Sequence, residues 1–411
     1  MRQKRIYLDY AAATPVDTRI LRAMRPYFSD VFGNPSSLHR AGAEALKGLD
    51  HARETFSRLL GVDFRNTIFT ASATEANNLA LRGIVRGSRE WGVGRRVIVS
   101  AVEHDSILET ARDMERAGEA EVVVIPVDRE GVINLRKLKA ALDERTVLVS
   151  VMYVNNEVGT VQPISEIAKI ILAYKSNKSD RSDKSYPLFH TDAAQAFLYY
   201  PCRAEVLGAD CITLSSQKIY GPKGAGALVL GSREWGVGGR SLHPILTGGG
   251  QEFGFRAGTE NVPAIVGFAA ALEHAERERA KNTAHAVSVR DTFERELMKN
   301  VPGVERNGPS RDREAPHITN LAFRGVSSED LLVLLDREGV AVSPGAACSA
   351  RALTLSHVLR AIKTPDERIT RSIRFSFGRG ISVPMAREAA KRVAHAASVL
   401  TKRYFSRDPS L

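Results

Sequence analysis

A chain of 411 residues with 43% apolar and 26% charged side chains is ordinary for a globular protein and exceeds the length at which one core stops growing, so two domains are expected. Lys and Arg outnumber Asp and Glu by 58 to 47, a net charge of +11, but the cations are scattered; a basic solvated surface and an anionic partner both fit. The apolar runs fall short of the roughly 20 residues of a membrane span, MRQKRIYLDY has no apolar signal core, and Cys202, Cys211 and Cys348 form no CxxC pair, which excludes membrane-spanning, disulfide-framework and zinc classes and points to the cytoplasm.

Residues 1–35 read as irregular with a helix after Asp17, and NPSS (Asn34–Ser37) as a turn and cap. A helix is predicted over His39–Leu60, where Leu46, Leu49, Ala52, Phe56 and Leu59 recur at spacings of three and four before Gly61. Thr67–Thr70 reads as a strand. ASATEANNLALRG then reads as a loop carrying Ser72 and Thr74 that opens a helix with Glu75 in its first turn. Strands are predicted at Val97–Ala101, Val122–Val127 and Val147–Tyr153, and Asn134 and Ser165 are assigned as helix caps. SNKSDRSDKS (Ser176–Ser185) has no apolar residue and reads as an exposed insertion.

Further strands are predicted at Pro187–Thr191, Cys211–Leu214 and Ala225–Leu230, the second running into Ser215, Ser216, Gln217, Lys218 and a glycine-rich loop. Beyond GGGQEFGFRAGTEN (Gly248–Asn261) come a long helix from Ala264 to about Lys281, a helix near Arg290–Lys299 and a strand His317–Phe323. A helix Ser328–Glu338, the segment Gly339–Val342, a small-residue loop around Cys348, a strand Ser372–Phe377 and a final helix Pro384–Lys402 complete the chain.

Strands alternating with helices of this length specify an α/β fold: a mostly parallel central sheet with helices on both faces, plus a smaller α+β C-terminal domain. The expected boundaries are an N-terminal segment 1–15 packing with the small domain, a large domain 16–262 and a small domain 263–411. Ligands of such sheets gather outside the carboxyl ends of the strands. Ser72–Thr74, His104, Asn155–Glu157, Asp192–Gln195 and Ser215–Lys218 all fall there, which predicts one shared pocket.

A strand-end lysine, an upstream aspartate and a hydroxyl-bearing loop at a helix start are the parts of a pyridoxal phosphate site. Lysine shifts its pKa readily and forms Schiff bases, an acid pairs with the pyridinium nitrogen, and helix-start amides take the phosphate. Each residue also has a plainer reading. Asp192 could cap a helix, His104 could be a core histidine, and Arg374 could face solvent. Cys348 could be an ordinary thiol, and Asn156 and Gln195 could bridge backbone groups. Cys202 and Cys211 read as structural.

In chain order, YLDYAAATPV, GNPSSLHRAG, TDAAQA, SSQKIYGPKGAGAL, RAGTENVPAIVG and SIRFSFGRG resemble the cysteine desulfurases of the class V aminotransferase group, NifS/IscS-like branch, end to end. The resemblance implies the type I fold of pyridoxal-phosphate-dependent transferases, conversion of L-cysteine to L-alanine, and a homodimer. It places the cofactor on Lys218, the pyridine nitrogen on Asp192, the ring hydroxyl on Gln195 and a stacking, proton-transferring histidine at His104. Asn156 lies beside the cofactor. Ser72, Thr74, Ser215 and Gln217 fall in the phosphate region, and Thr259 matches a phosphate contact from the second subunit. Arg374, with Asn34 and Asn156, is assigned to the substrate, and Cys348 to the nucleophile that stores sulfur as a persulfide for an acceptor protein. No metal site is implied.

The chain departs from the family pattern at Gln217, where histidine is usual, at Ser72, where glycine is usual, and at Phe253, where arginine is common. Its tail after the last helix is short. A dedicated desulfurase, with a link to nucleic-acid modification, therefore fits as well as a housekeeping role in iron–sulfur cluster assembly. The alternatives are another pyridoxal phosphate enzyme of small amino acids, such as a selenocysteine lyase or aminotransferase, and a non-catalytic basic binding protein with a degenerate site.

Overall fold

The computed structural model describes residues 5–90, 94–177, 186–231, 242–344 and 355–405. Its first strand, β1 (Ile6–Tyr7), is followed by β2 (Thr67–Thr70), β3 (Arg96–Ser100), β4 (Glu121–Ile125), β5 (Thr146–Ser150), β6 (Leu188–Asp192), β7 (Cys211–Ser215) and β8 (Gly226–Leu230). Strands β2 to β8 form a seven-stranded sheet in the order β2-β8-β7-β6-β5-β3-β4. Strands β3 to β7 pair in parallel, and β8 runs antiparallel to both of its neighbours. The central strands β5, β6 and β7 are buried along their whole length, as expected of a sheet covered on both faces.

The remaining strands are β9 (Val304–Asn307), β10 (Ile318–Phe323), β11 (Val340–Ala341) and β12 (Ser372–Ser376). β10 lies between β12 and β9 in an antiparallel sheet, and β11 pairs in parallel with β1. The chain's start is thus tied to its last third, and a bridge from Asp9 to Ser376 extends the tie. Two-residue strands leave no periodicity to read, which is why β1 was expected to be irregular.

The Arg40–Leu60 helix has His39 as its N-cap and Gly61 in the left-handed conformation at its end. The helix expected to start with Ser165 instead covers Ile164–Ser176, with Pro163 at its cap. The helix near Arg290–Lys299 is the second half of one element, Arg279–Asn300, which follows the Val262–Arg277 helix almost without a break. Its buried face includes Asn282, Arg290, Thr292 and Glu294, so hydrophobic periodicity understates its length. Arg290 is held there by Glu314 (3.1 Å), which also pairs with Arg306 (2.7 Å).

Candidate active site

The carboxyl ends of the central strands open into a cavity of about 280 Å³. It is lined by Ser72, Thr74, His104, Asn156, Asp192, Gln195, Ser215, Gln217, Lys218 and Arg374, together with Ala11, Ala12, Glu157 and His357. Ten of the residues singled out from sequence therefore share one wall. Asn34 and Thr259 do not line it; both are exposed, and Asn34 Oδ1 accepts the backbone N–H of Ser36 (2.9 Å). Cys348 lies outside the described residues, as do 178–185 of the insertion. A wider surface groove of about 720 Å³ beside the Ile164–Ser176 helix contains none of these groups.

Lys218 leaves the end of β7 on a short 3-10 turn, Ser216–Lys218. Thr14 fastens that turn by donating its N–H (3.1 Å) and its hydroxyl (2.9 Å) to the Gln217 carbonyl. Lys218 Nζ donates to the carbonyls of Ala11 (2.5 Å) and Ala12 (2.7 Å), which place the amine at the cavity wall. Residues near the chain's start thus complete a site built mainly by its middle.

Asp192 ends β6 and is 6% exposed. Asn77 Nδ2 donates to its Oδ2 (2.8 Å), and the Ala194 N–H to its Oδ1 (2.9 Å). Among the described residues, the donors that meet its two oxygens are neutral. That leaves the counter-charge to whatever fills the cavity. Asn77 was missed from sequence, although it shares the buried face of the Ala73–Glu90 helix with Leu81 and Ile84, where a polar side chain calls for a partner.

Ser72 precedes that helix and accepts the Glu75 N–H (3.1 Å), while Glu75 Oε2 takes the Ala71 N–H (2.8 Å), a close variant of the reciprocal capping box. The first turn puts Ala73 and Thr74 on the cavity wall, where a helix start favours an anion. Gly226 opens β8 beside it; a Cβ there would sit 2.4 Å from the Ser72 carbonyl carbon, so only glycine admits this approach.

His104 caps the Asp105–Arg116 helix, and its Nδ1 accepts the Ser106 N–H (3.1 Å). The neutral ring therefore carries its proton on Nε2. Arg374 is 2% exposed; its Nη1 donates to the Asn156 carbonyl (2.9 Å) and its Nη2 to Asp9 Oδ1 (2.8 Å), while Nε has no partner among the described residues. Asn156 thus contributes its backbone to the site. Gln195 does bridge backbone, donating to the Ala11 carbonyl (2.9 Å) while lining the cavity.

Sequence reasoning also missed Glu103, beside His104 and fully buried. Its Oε1 accepts from the Ser100 hydroxyl (2.5 Å) and the Met152 N–H (2.8 Å), and burial pushes its pKa up to about 8, with the nearby Asp192 charge adding to the effect. The residues present suit pyridoxal phosphate: a lysine, a buried carboxylate whose partners among the described residues are neutral, and a helix start at the cavity wall. Fold and site together define a pyridoxal phosphate enzyme of fold type I. Residues 6–382 match the aminotransferase class-V family, and the chain belongs to that family. It is 41% identical to the cysteine desulfurase IscS of Dictyoglomus turgidum over 377 residues, covering 92% of this chain and 90% of that one. Among solved structures it resembles a NifS-like protein (TM-score 0.85, 31% identity, 96% of this chain and 100% of that one). It also resembles SspA in complex with cysteine (TM-score 0.75, 32% identity, 90% and 98%).

Proposed function

We propose that the chain is a cysteine desulfurase that converts L-cysteine to L-alanine and passes the sulfur, held as a persulfide on Cys348, to an acceptor protein. The observation that carries this reading is the convergence of Lys218, Asp192 and Arg374 on one cavity. When bound, pyridoxal phosphate supplies the electron sink that lets an amino-acid Cα–H ionise. Lys218 would carry it through Nζ, Asp192 would hold its ring nitrogen, and Ser72, Thr74, Ser215 and Gln217 would take its phosphate. Gln217 donates through an uncharged amide where relatives commonly place histidine.

Arg374, braced by Asn156 and Asp9, orients the substrate through its carboxylate. Lys218 and His104, with its proton on Nε2, hold and return protons within the cavity. The Cys348 thiolate attacks the substrate sulfur: an S–S bond forms, the carbon–sulfur bond breaks, and its electron pair stays on the carbon skeleton, which is protonated to alanine. A thiolate of the acceptor then attacks the outer sulfur and releases Cys348.

The working unit is a homodimer. Phe28 and Phe32 are 66% and 74% exposed and Leu38 fully so, an apolar surface that a second copy would cover. Thr259 then serves the partner's cavity. No helix among the described residues is long and apolar enough to cross a membrane. That is compatible with a cytoplasmic enzyme supplying iron–sulfur assembly or nucleic-acid thiolation. Borohydride should bleach a visible absorbance band and fix the cofactor to the Lys218 peptide by mass; a label on any other lysine would reject the assignment.

A further inference from the structure

His317 lies immediately before β10, is 3% exposed, and takes no part in the reaction described above. Its ring stacks on Tyr199 (centroids 4.2 Å apart, planes 18° apart), and its carbonyl accepts the Phe377 N–H (2.8 Å). Its Nε2 is 3.3 Å from Gln195 Oε1, and its Nδ1 has no partner among the described residues.

The hydrogen-bond roles along this line are forced from one end. The Ala11 carbonyl can only accept, so the Gln195 atom facing it is the amide nitrogen. Oε1 therefore faces His317, which must donate from Nε2, leaving Nδ1 bare. Ala11 is itself held in place by its N–H, donated to the Ser376 hydroxyl (2.9 Å). The tautomer has support from its surroundings. Burial, followed by the charges of Arg290, Arg374 and Lys218, pushes the His317 pKa down to about 3, so the ring stays neutral with a single N–H.

We infer that His317 is a positioning residue: it holds the oxygen end of the Gln195 amide and so keeps the nitrogen that Ala11 selects aimed at the cavity. One Gln195 N–H goes to Ala11, and the second is left for the cavity that Gln195 lines. This rests on the proposed pairing of Gln195 with the cofactor's ring hydroxyl. A donor there stabilises the anionic oxygen and so lowers the proton affinity of the nitrogen joined to Lys218. Without His317 the amide is held from the Ala11 end alone, its second N–H is no longer fixed on that oxygen, and that affinity rises.

The test is a pH titration of the visible band of the cofactor-loaded dimer, read without substrate. His317→Phe keeps a stacking ring and removes the donor; His317→Met is a second donor-free variant, and His317→Gln restores an N–H. The midpoint should move up by about one pH unit, a tenfold change in proton affinity, in the donor-free variant that folds. It should return close to wild type in His317→Gln. In a Gln195→Leu background, removing the His317 donor should add no further shift. A donor-free variant with the wild-type midpoint, or a His317→Gln midpoint as displaced as the Phe one, would overturn the inference. A wild-type protein with no visible band would instead overturn the cofactor reading, and this inference with it.

Discussion

Arg374→Lys keeps a positive charge on β12 but removes the planar fork. In the present geometry Nη1 and Nη2 each spend one N–H on Asn156 and Asp9, so the second N–H of each remains for a substrate carboxylate. A hydrogen bond to a charged group contributes about 1.5–3 kcal/mol. Losing the paired geometry while keeping a point charge should therefore cost about 2–3 kcal/mol. At tenfold per 1.4 kcal/mol, that is roughly a 30- to 150-fold loss in kcat/KM for cysteine. Because the carboxylate is bound equally before and during the reaction, the loss should fall on KM with little change in kcat. Steady-state alanine formation measures it, with the visible band confirming that cofactor is retained. Asp9→Asn, which leaves an oxygen acceptor for Nη2, should cost only a few-fold. A KM within twofold of wild type in Arg374→Lys would refute the assignment of Arg374 to the substrate.

Two further predictions concern stability and assembly. Glu103 keeps its proton to about pH 8 in the folded chain, while the unfolded chain loses it near the ordinary carboxyl value of 4.5. The unfolded state then binds fewer protons, so Glu103 makes stability fall by up to about 1.4 kcal/mol per unit as pH rises from 4.5 to 8. Denaturant titrations of Glu103→Gln should lack that contribution, and an unchanged pH slope would contradict it. Replacing Phe32 and Leu38 by Asp should shift the protein from dimer to monomer in sedimentation; a dimer that persists would place the interface elsewhere.

Much of the site was legible because β5, β6 and β7 are short buried strands that lead into Asn155–Glu157, Asp192–Gln195 and Ser215–Lys218, and a parallel sheet brings such strand ends together. The supporting groups were harder to see. Asp9, Ala11 and Ala12 act through contacts more than 200 residues away, and the two alanines meet Lys218 through backbone carbonyls. Glu103 and His317 are ordinary polar letters until burial is known, and burial comes from elements distant in sequence. Asp192 shows the limit most clearly. Its place at a strand end called for a partner, but not for Asn77, 115 residues earlier, as the side chain that meets it.

The central claim is that sulfur leaves cysteine for Cys348 in a site organised by Lys218. Cofactor-loaded Cys348→Ser protein, given one equivalent of L-cysteine without reductant, tests it by intact mass and alanine yield. Wild type should gain 32 Da, one sulfur atom, as roughly one alanine forms per site; Cys348→Ser should gain nothing and form little alanine while keeping its visible band. Wild-type alanine yield in the Cys348→Ser protein would contradict the account.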